Sequence, residues 1–592
     1  MNHHNLVTDL VVVGGGLAGV CAALAAARNG AKVVLVQDRS VLGGNASSEV
    51  KMHIVGADCH GTRTGARESG IIEELKLEDA ARNPHRSYSQ WDLLLYEKVI
   101  LEPNITLLLD TDCIGCELDL AAGARRITAV KAVRQSTEDS FTINAPFFAD
   151  CSGDGRLGVE AGADFTVGRE ARASTGESLA RDIADSHTLG SSILFTARQH
   201  ATPQPFIAPP WVRTFKKQEF KHRPVKSYEY GYWWSEWGGQ LDTLKDNAAI
   251  RHELLRIALG IWNYIKNSGE HPDSANWALD WIGAIPGKRE TRRFLGPYVL
   301  TQTDVESGRL FSDAVAYGGW WLDLHPPSGV DAVDEEPCVQ HHFPHLYTIP
   351  LGCLHSRNVS NLFFAGRNIS ATHVAFASTR VMATCAVMGQ AIGTAAARAC
   401  LHAGRSISEI FNSTEIARLQ QKLLLDDVFI PSHSAVLPTA TITASSELLG
   451  AEAIHVLDGH TRELPVTLGP WADGATHRWE SATLPAWLEL TWPDSQPIAE
   501  IHLTFDSGFH RELILSASDA VTAKTIRGAQ PELVCDYELI IDDQVVAAVT
   551  GNYLRKRVHR LRQPVLARRL RLRVLATHGA PTARVFEVRA MC

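Results

Sequence analysis

Four stretches of this chain hold side chains able to do acid–base chemistry or to bind anions. In "NISATHVAFASTR" (368–380), His373 can take a proton near neutral pH. Arg380 in the same stretch is a permanent cation that can hold a developing negative charge or a carboxylate. In "EVKMHIVGADCHGTRTGARES" (49–69), Glu49, Lys51, His53, Cys59, His60 and Arg63 crowd into a short span. Alternation places Lys51 and His53 on one face of an expected strand, which favours His53. His373, His53, Arg380 and His60 are therefore the candidate catalytic residues. Cys59 and His60 match no metal-ligand spacing, and the Cys113/Cys116 pair has no second pair, so no metal site is expected. "QHHFPHLYTIP" offers His341, His342 and His345 for the roof of a site. "GKRETRRFLG" offers Arg289, Arg292 and Arg293 as an anion clamp or as ion pairs at a helix end.

These groups need a frame. "DLVVVGGGLAGVCAALAAARNGAKVVLVQD" (9–38) reads as strand, glycine turn, Ala-rich helix and second strand. Gly14, Gly16 and Gly19 make the G-x-G-x-x-G pattern of a dinucleotide site. The first glycine permits the turn, the second lets a pyrophosphate approach, and the third lets helix pack on strand. The helix start at Leu17 and Ala18 turns unpaired N–H groups and a positive dipole end toward the phosphates. About twenty residues on, where an acid usually holds a ribose, stands Gln37. Its amide still bonds hydroxyls, and Asp38 should point the other way from an extended strand end.

Beyond Asp38 and Arg39 comes "LGGNASSE" (42–49), with Gly43, Gly44, Asn45, Ala46, Ser47 and Ser48. A Gly-Gly-x-Ser-type segment at this place resembles FAD-dependent oxidoreductases of the glutathione-reductase-like superfamily. Two later segments extend the resemblance. "FFADCSGDGRLGVEAGADF" (147–165), with Ser152, Gly153 and Asp154, is similar to the Ala-Thr-Gly-Asp segment on the adenosine side. "VSNLFFAGRNISATHVAFASTRVMATCAVMGQAIGTAAARA" (359–399) is similar to the returning strand–loop–helix. It places Gly366, Arg367, Arg380, Val381 and Met382 at the cofactor, and the resemblance implies FAD bound without a covalent link. It covers roughly residues 5–405 and looks closest to a bacterial group described as FAD-dependent oxidoreductases, some as xanthan-lyase-related. "QDRSVLGGNASSEVKMHI", "YGYWWSEWGGQLDTLKDNAAIRHEL" and "GKRETRRFLGPYVLTQTDV" all look like that group.

The expected fold class is α/β. Residues 1–165 and 350–405 form a discontinuous Rossmann-like FAD-binding domain, with an inserted α+β substrate domain at 166–349. A long helix is expected over 242–268, and the aromatic runs "YEYGYWWSEWGG" and "YGGWWLDLHPPSG" read as sheet, with one or two rings left for a ligand. A helical linker (406–435) leads to short alternating strands over 436–592. Their order resembles a galactose-binding-like jelly roll of the discoidin type. "RKRVHRLRQPVLARRLRLRV" (555–574) reads as one such strand with a wet basic face.

A net charge of −9 argues against nucleic acid and anionic membrane as partners. No apolar run reaches the roughly 18 residues of a membrane helix. Eleven scattered cysteines and no leader point to the cytoplasm. The expected activity removes hydride from a hydroxyl-bearing carbon of a carbohydrate or glycoside, a small-molecule partner. Two alternatives stand beside it: a redox-neutral glycoside hydrolase acting through transient oxidation, and an RNA-modifying flavoenzyme. A homo-oligomer is compatible with the sequence, which sets no oligomeric state.

Overall fold

The computed structural model describes residues 2–120 and 125–592. At its centre is a five-stranded parallel sheet in the order Leu362–Phe364, Phe147–Asp150, Leu10–Val13, Val33–Val36, Ile105–Leu108. The three inner strands, FFAD, LVVV and VVLV, and the edge strand LFF are wholly buried. Continuous apolar runs of this kind suit a parallel sheet covered on both faces. On one face lie the helices Leu17–Arg28 and Met382–Ala399, both rich in alanine. They touch backbone to backbone: a Cβ on Gly389 would stand 2.1 Å from the Ala18 carbonyl oxygen, and one on Gly393 2.1 Å from that of Ala22. The other face is covered by a four-stranded sheet of Asn2–Val7, Asp139–Asn144, Arg126–Arg134 and Asp112–Asp119. Val11, Val13, Val34 and Val36 share one core cluster with Ile127, Val130 and Ile143 of that sheet. Cys113 and Cys116 are strand residues within it.

The expected helix at 242–268 runs from Asn247 to Asn267. It starts late because the Asp242 carboxylate accepts from the N–H groups of Leu244 and Lys245, holding the chain in a turn first. Its apolar face packs on Phe195, Tyr232 and Trp234, so most of the aromatic run is core.

From Thr441 onward the chain forms one seven-stranded sheet, whose core also takes in Leu77 and Ala80 of the helix Ile71–Arg82. The segments AWLELTWP and AEIHLTF form one long strand, Ala486–Phe505, where the sequence led to an expectation of short ones. It changes register between Thr491 and Gln496 and again between Ile498 and Glu500. The basic run lies in Lys556–Thr577, where Leu570, Leu572 and Val574 are buried. On the other side Arg569, Arg571 and Arg573 pair with Asp543, Glu489 and Glu538, so this part of the wet face is ionically matched. Buried arginines join this sheet to the rest: Arg527 bonds Asp79 (2.8 Å), Arg555 bonds Asp427 (2.9 Å), and Arg67 donates to the carbonyls of Ser507 and Gly508. No helix among the described residues is long and apolar enough to cross a membrane. All eleven cysteines are free thiols.

Candidate functional site

A cavity of about 590 Å³ opens at the C-terminal edge of the parallel sheet. Its floor is the glycine turn between the strand Leu10–Val13 and the helix Leu17–Arg28. Gly14 has φ +103°, and a Cβ there would stand 2.5 Å from the Cys151 carbonyl carbon. A Cβ on Gly19 would stand 1.8 Å from the Gly14 oxygen, so this glycine lets the helix lie on the turn. A Cβ on Gly16 would meet no atom within 4 Å, because Gly16 faces the cavity at the helix N-terminus. The Gly43–Gly44 loop bridges to the turn, Gly43 N–H donating to the Gly15 carbonyl at 2.8 Å. Across the floor, Asp154 accepts from Lys288 at 2.6 Å and from Arg367 at 3.1 Å. Burial would raise the Asp154 carboxyl, but these two cations hold it below the usual carboxylate range. Arg367 Nη1 is buried with no hydrogen-bond partner among the described residues.

The other end of the cavity is polar and aromatic. Trp233 and Trp320 line it together with Asp323, His325, Arg380 and Arg289. His325 is held on both ring nitrogens, 2.7 Å from Glu236 Oε2 and 2.9 Å from Asp323 Oδ2. Arg380 Nη2 donates to the same Asp323 oxygen at 2.8 Å. Burial alone would lower the His325 pKa, yet the Glu236 and Asp323 carboxylates raise it. Burial would raise Asp323, yet His325 and Arg380 hold it far down. Its second oxygen, Oδ1, is buried and unpartnered among the described residues.

Beside this group stand two histidines with opposite electrostatics. The His53 and His60 rings meet edge to face at 5.8 Å. Burial, and then the neighbouring His60, push His53 down to about 4. Burial would lower His60 too, but Glu512 raises it through a 2.8 Å hydrogen bond to Nδ1. Such a set can take a proton on an imidazole and fix hydroxyls on a carboxylate and a guanidinium.

The family model described as FAD dependent oxidoreductase matches residues 9–423. The chain belongs to that family. No curated protein matches it. Among solved structures, the family 32 carbohydrate-binding module from Streptococcus pneumoniae EndoD is 17% identical, covering 26% of this chain and 97% of the module at a TM-score of 0.20. The family 32 module of C. perfringens NanJ, in complex with galactose, is 16% identical, covering 26% of this chain and 92% of its own at 0.18. Chitosan-binding module 1 from a Paenibacillus chitosanase/glucanase is 17% identical, with 27% and 99% coverage at 0.19. Scores this low carry no assignment.

The cavity fits the family's cofactor. Gly14, Gly16, Gly43 and Gly44 bring backbone without side chains to the cavity at a helix start, which suits a pyrophosphate, and the lining residue Arg367 has an orphaned nitrogen. Of the sequence-selected residues in this FAD-dependent oxidoreductase, Gly14, Gly16, Leu17, Ala18, Gln37, Asp38, Arg39, Gly43, Gly44 and Asn45 line it. So do Ser152, Gly153, Asp154, Gly366, Arg367, Arg380, Val381, Met382, His53 and His60. Gly19, Ala46, Ser47 and Ser48 lie behind the lining; Ser47 Oγ donates to the Gly44 carbonyl and supports the loop.

Several expectations need correction. Gln37 does not keep its amide for a ribose: Oε1 accepts from Gly15 N–H at 2.7 Å and Nε2 donates to the Val41 carbonyl. Asp38, expected to point away, is exposed and lines the same cavity. Lys51 and His53 share no strand, because residues 51–56 have no regular structure and Lys51 sits at φ +60° with its Nζ 4.1 Å from the Trp281 ring centroid. His373 is the first residue of the helix His373–Thr379, not part of a loop over the cavity. It is buried against Glu290 (3.0 Å), which also pairs with Arg293, and it is not a lining residue. His341, His342 and His345 do not line the cavity although Gln340 does, and His342 stacks on Trp321. Arg289 and Arg292 line it, while Arg293 is locked between Glu290 and Glu170.

Sequence reasoning missed Glu236, Asp323, His325, Lys288 and Glu512. The first three stand inside the two aromatic runs, where the only available signal was a charged residue among tryptophans.

Proposed function

We propose that this FAD-dependent oxidoreductase removes hydride from a hydroxyl-bearing carbon of a carbohydrate or glycoside. The observation that carries the reading is the single cavity joining the glycine cradle to the Asp323–His325–Arg380 group and the Trp233 and Trp320 side chains. The cofactor, when bound, supplies the hydride acceptor. Gly14, Gly16, Gly43, Gly44 and Arg367 would hold it. Its attachment is non-covalent in this reading, supported by the lining thiols Cys113 and Cys385, which burial keeps protonated with pKa values of about 12.

The protein's own groups take the remaining roles. His60 is the proton acceptor: Nδ1 is engaged by Glu512, leaving Nε2 for a substrate hydroxyl. His325 cannot serve, since both its nitrogens are engaged; it orients Asp323 instead. Asp323 Oδ1 accepts from a neighbouring hydroxyl, and Arg380 balances negative charge that builds up during transfer. The tryptophan faces exclude water and suit the C–H face of a sugar.

The same reading assigns residues 1–165 and 350–405 to a Rossmann-like cofactor domain, 166–349 to a substrate domain, 406–435 to a helical linker and 436–592 to a galactose-binding-like jelly roll. Support comes from the parallel sheet, which draws its fifth strand from Leu362–Phe364, and from the core cluster after Thr441, to which only Leu77 and Ala80 are added from earlier in the chain. A cytoplasmic setting rests on the eleven free thiols.

The test is anaerobic mixing of the purified yellow protein with methyl glycosides and free sugars, following loss of the visible flavin band. Bleaching by a subset of them supports the reading, and a flavin unaffected by every saccharide but reduced by another class of alcohol overturns the substrate assignment. Bond cleavage with no electron acceptor present would favour the redox-neutral glycosidase.

A further inference from the structure

Away from the FAD cavity, the C-terminal sheet unit carries a second group of ligating side chains. Asp458 follows the short 3₁₀ helix Ala453–Leu457, which contains His455, and His477 lies two residues before the strand Trp479–Glu480. One oxygen, Asp458 Oδ2, faces both imidazoles, 2.8 Å from His477 Nδ1 and 3.3 Å from His455 Nδ1. A ligand atom from each of the three residues falls within 4.8 Å of the other two. Each ring turns its far nitrogen to a separate carboxylate: His477 Nε2 is 3.0 Å from Asp473 Oδ1, and His455 Nε2 is 3.4 Å from Glu452 Oε2. With an ion between the Nδ1 atoms, the outer carboxylates would accept from Nε2–H, as they do behind metal-bound histidines, and Asp458 Oδ2, now within hydrogen-bond reach of both Nδ1 atoms, would turn to the ion. The other Asp458 oxygen accepts from His460 N–H at 2.9 Å, and the His460 ring packs on His477 at 4.4 Å, which limits movement of both ligands.

Charge points the same way. Among the described residues, no lysine or arginine forms an ion pair with Glu452, Asp458 or Asp473; their ionic contacts are all with histidine. Three carboxylates thus surround two imidazoles with no fixed cation to balance them. The cavity group of Asp323, His325 and Cys338 is equally close-set, but there Arg380 is already in place, 2.8 Å from Asp323.

We propose that His455, Asp458 and His477 bind a divalent transition-metal ion, with zinc the best match to two imidazole nitrogens and one carboxylate. Calcium and magnesium require oxygen-rich shells that this set does not offer. Bound metal ties the Ala453–Leu457 turn to the His477 segment, so it stabilises the C-terminal unit. Three protein ligands leave a coordination position for water or another donor.

The experiment uses full-length, flavin-loaded protein freed of metal with a chelator. Zinc chloride is titrated by calorimetry, and cobalt(II) is added as a visible reporter. One saturable equivalent per chain, a rise in Tm and a cobalt spectrum of mixed nitrogen and oxygen coordination are expected. His455→Ala, a partly exposed position, and His477→Ala should each weaken zinc binding by about a hundredfold or more, losing a ligand where loss of outer support alone costs 10- to 100-fold. Cys338→Ser should leave it unchanged. An intact flavin band in every variant reports that the chain has folded. No saturable zinc binding, zinc binding unaffected by His455→Ala in a yellow protein, or calcium bound as tightly as zinc would each overturn the proposal.

Discussion

Replacing Glu512 by Gln tests whether the C-terminal sheet unit takes part in the chemistry. Glu512 lies 452 residues after His60 yet bonds its Nδ1 at 2.8 Å, and the Glu512 side chain is 11% exposed against 39% for His60. A hydrogen bond to a charged partner is worth about 1.5–3 kcal/mol, and the exposed imidazole calls for the lower end. About 1.5 kcal/mol corresponds to a roughly tenfold fall in kcat/KM, at 1.4 kcal/mol per factor of ten. The pH dependence carries a second signature. Burial works against the charged imidazole and the Glu512 carboxylate for it, with Asp58 also favouring it and Lys524 opposing. Glu512 therefore raises the pKa of the proton acceptor, and active base accumulates only above that raised value. Without the carboxylate the ascending limb of the kcat/KM profile must move to lower pH while its plateau falls. Glu512→Asp should restore part of both. The assay is initial-rate kinetics across pH on whichever methyl glycoside bleaches the flavin fastest, with the visible spectrum checking cofactor content. A Gln variant that keeps its flavin, stays within twofold of the parent and has an unmoved limb would refute the role of Glu512 and the choice of His60 as base.

Gly16→Phe should give a folded, colourless protein, because a side chain there enters the cavity and meets no protein atom; circular dichroism and flavin absorbance check it. Asp323→Asn should cut kcat/KM by about a hundredfold, from roughly 3 kcal/mol of lost charged hydrogen bonding, with flavin retained. His373→Ala should leave kcat within a fewfold and lower stability by about 1–3 kcal/mol, since it removes a hydrogen bond to the buried Glu290 carboxylate; denaturant unfolding and rates on one preparation separate the two effects. His53 has a folded pKa of about 4, below the ordinary 6.5, so the unfolded chain binds the proton more tightly. Its contribution to stability is present above 6.5 and fades as pH falls through 4, and His53→Gln should unfold over that range with a shallower pH dependence.

The cradle was legible because its signals are local. A buried parallel strand needs an apolar run, a tight turn needs Gly14 at φ +103°, and a close helix needs Gly19. All three requirements act within thirty residues of chain. The first aromatic stretch was legible as core for the same reason, through the apolar face of the helix it packs on. His373 misled because a histidine beside a cofactor segment has the right chemistry whichever way the backbone turns it. Only the helix start at His373 and the pull of Glu290 decide that it faces inward.

What the sequence by itself determined is the dinucleotide cradle, the parallel sheet that positions it and the β-rich C-terminal region, since each follows from residue types and spacing within one segment; FAD was implied by a resemblance carried on three segments. What only the tertiary structure decided is which charges meet. Glu236, Asp323 and Arg380 come from three separated segments to surround His325, and Glu512 reaches His60 from the far end of the chain. Coulombic and hydrogen-bonding partners act through a few ångströms of space and carry no record of their separation along the chain. Their pairing exists only once the packed elements have brought them together.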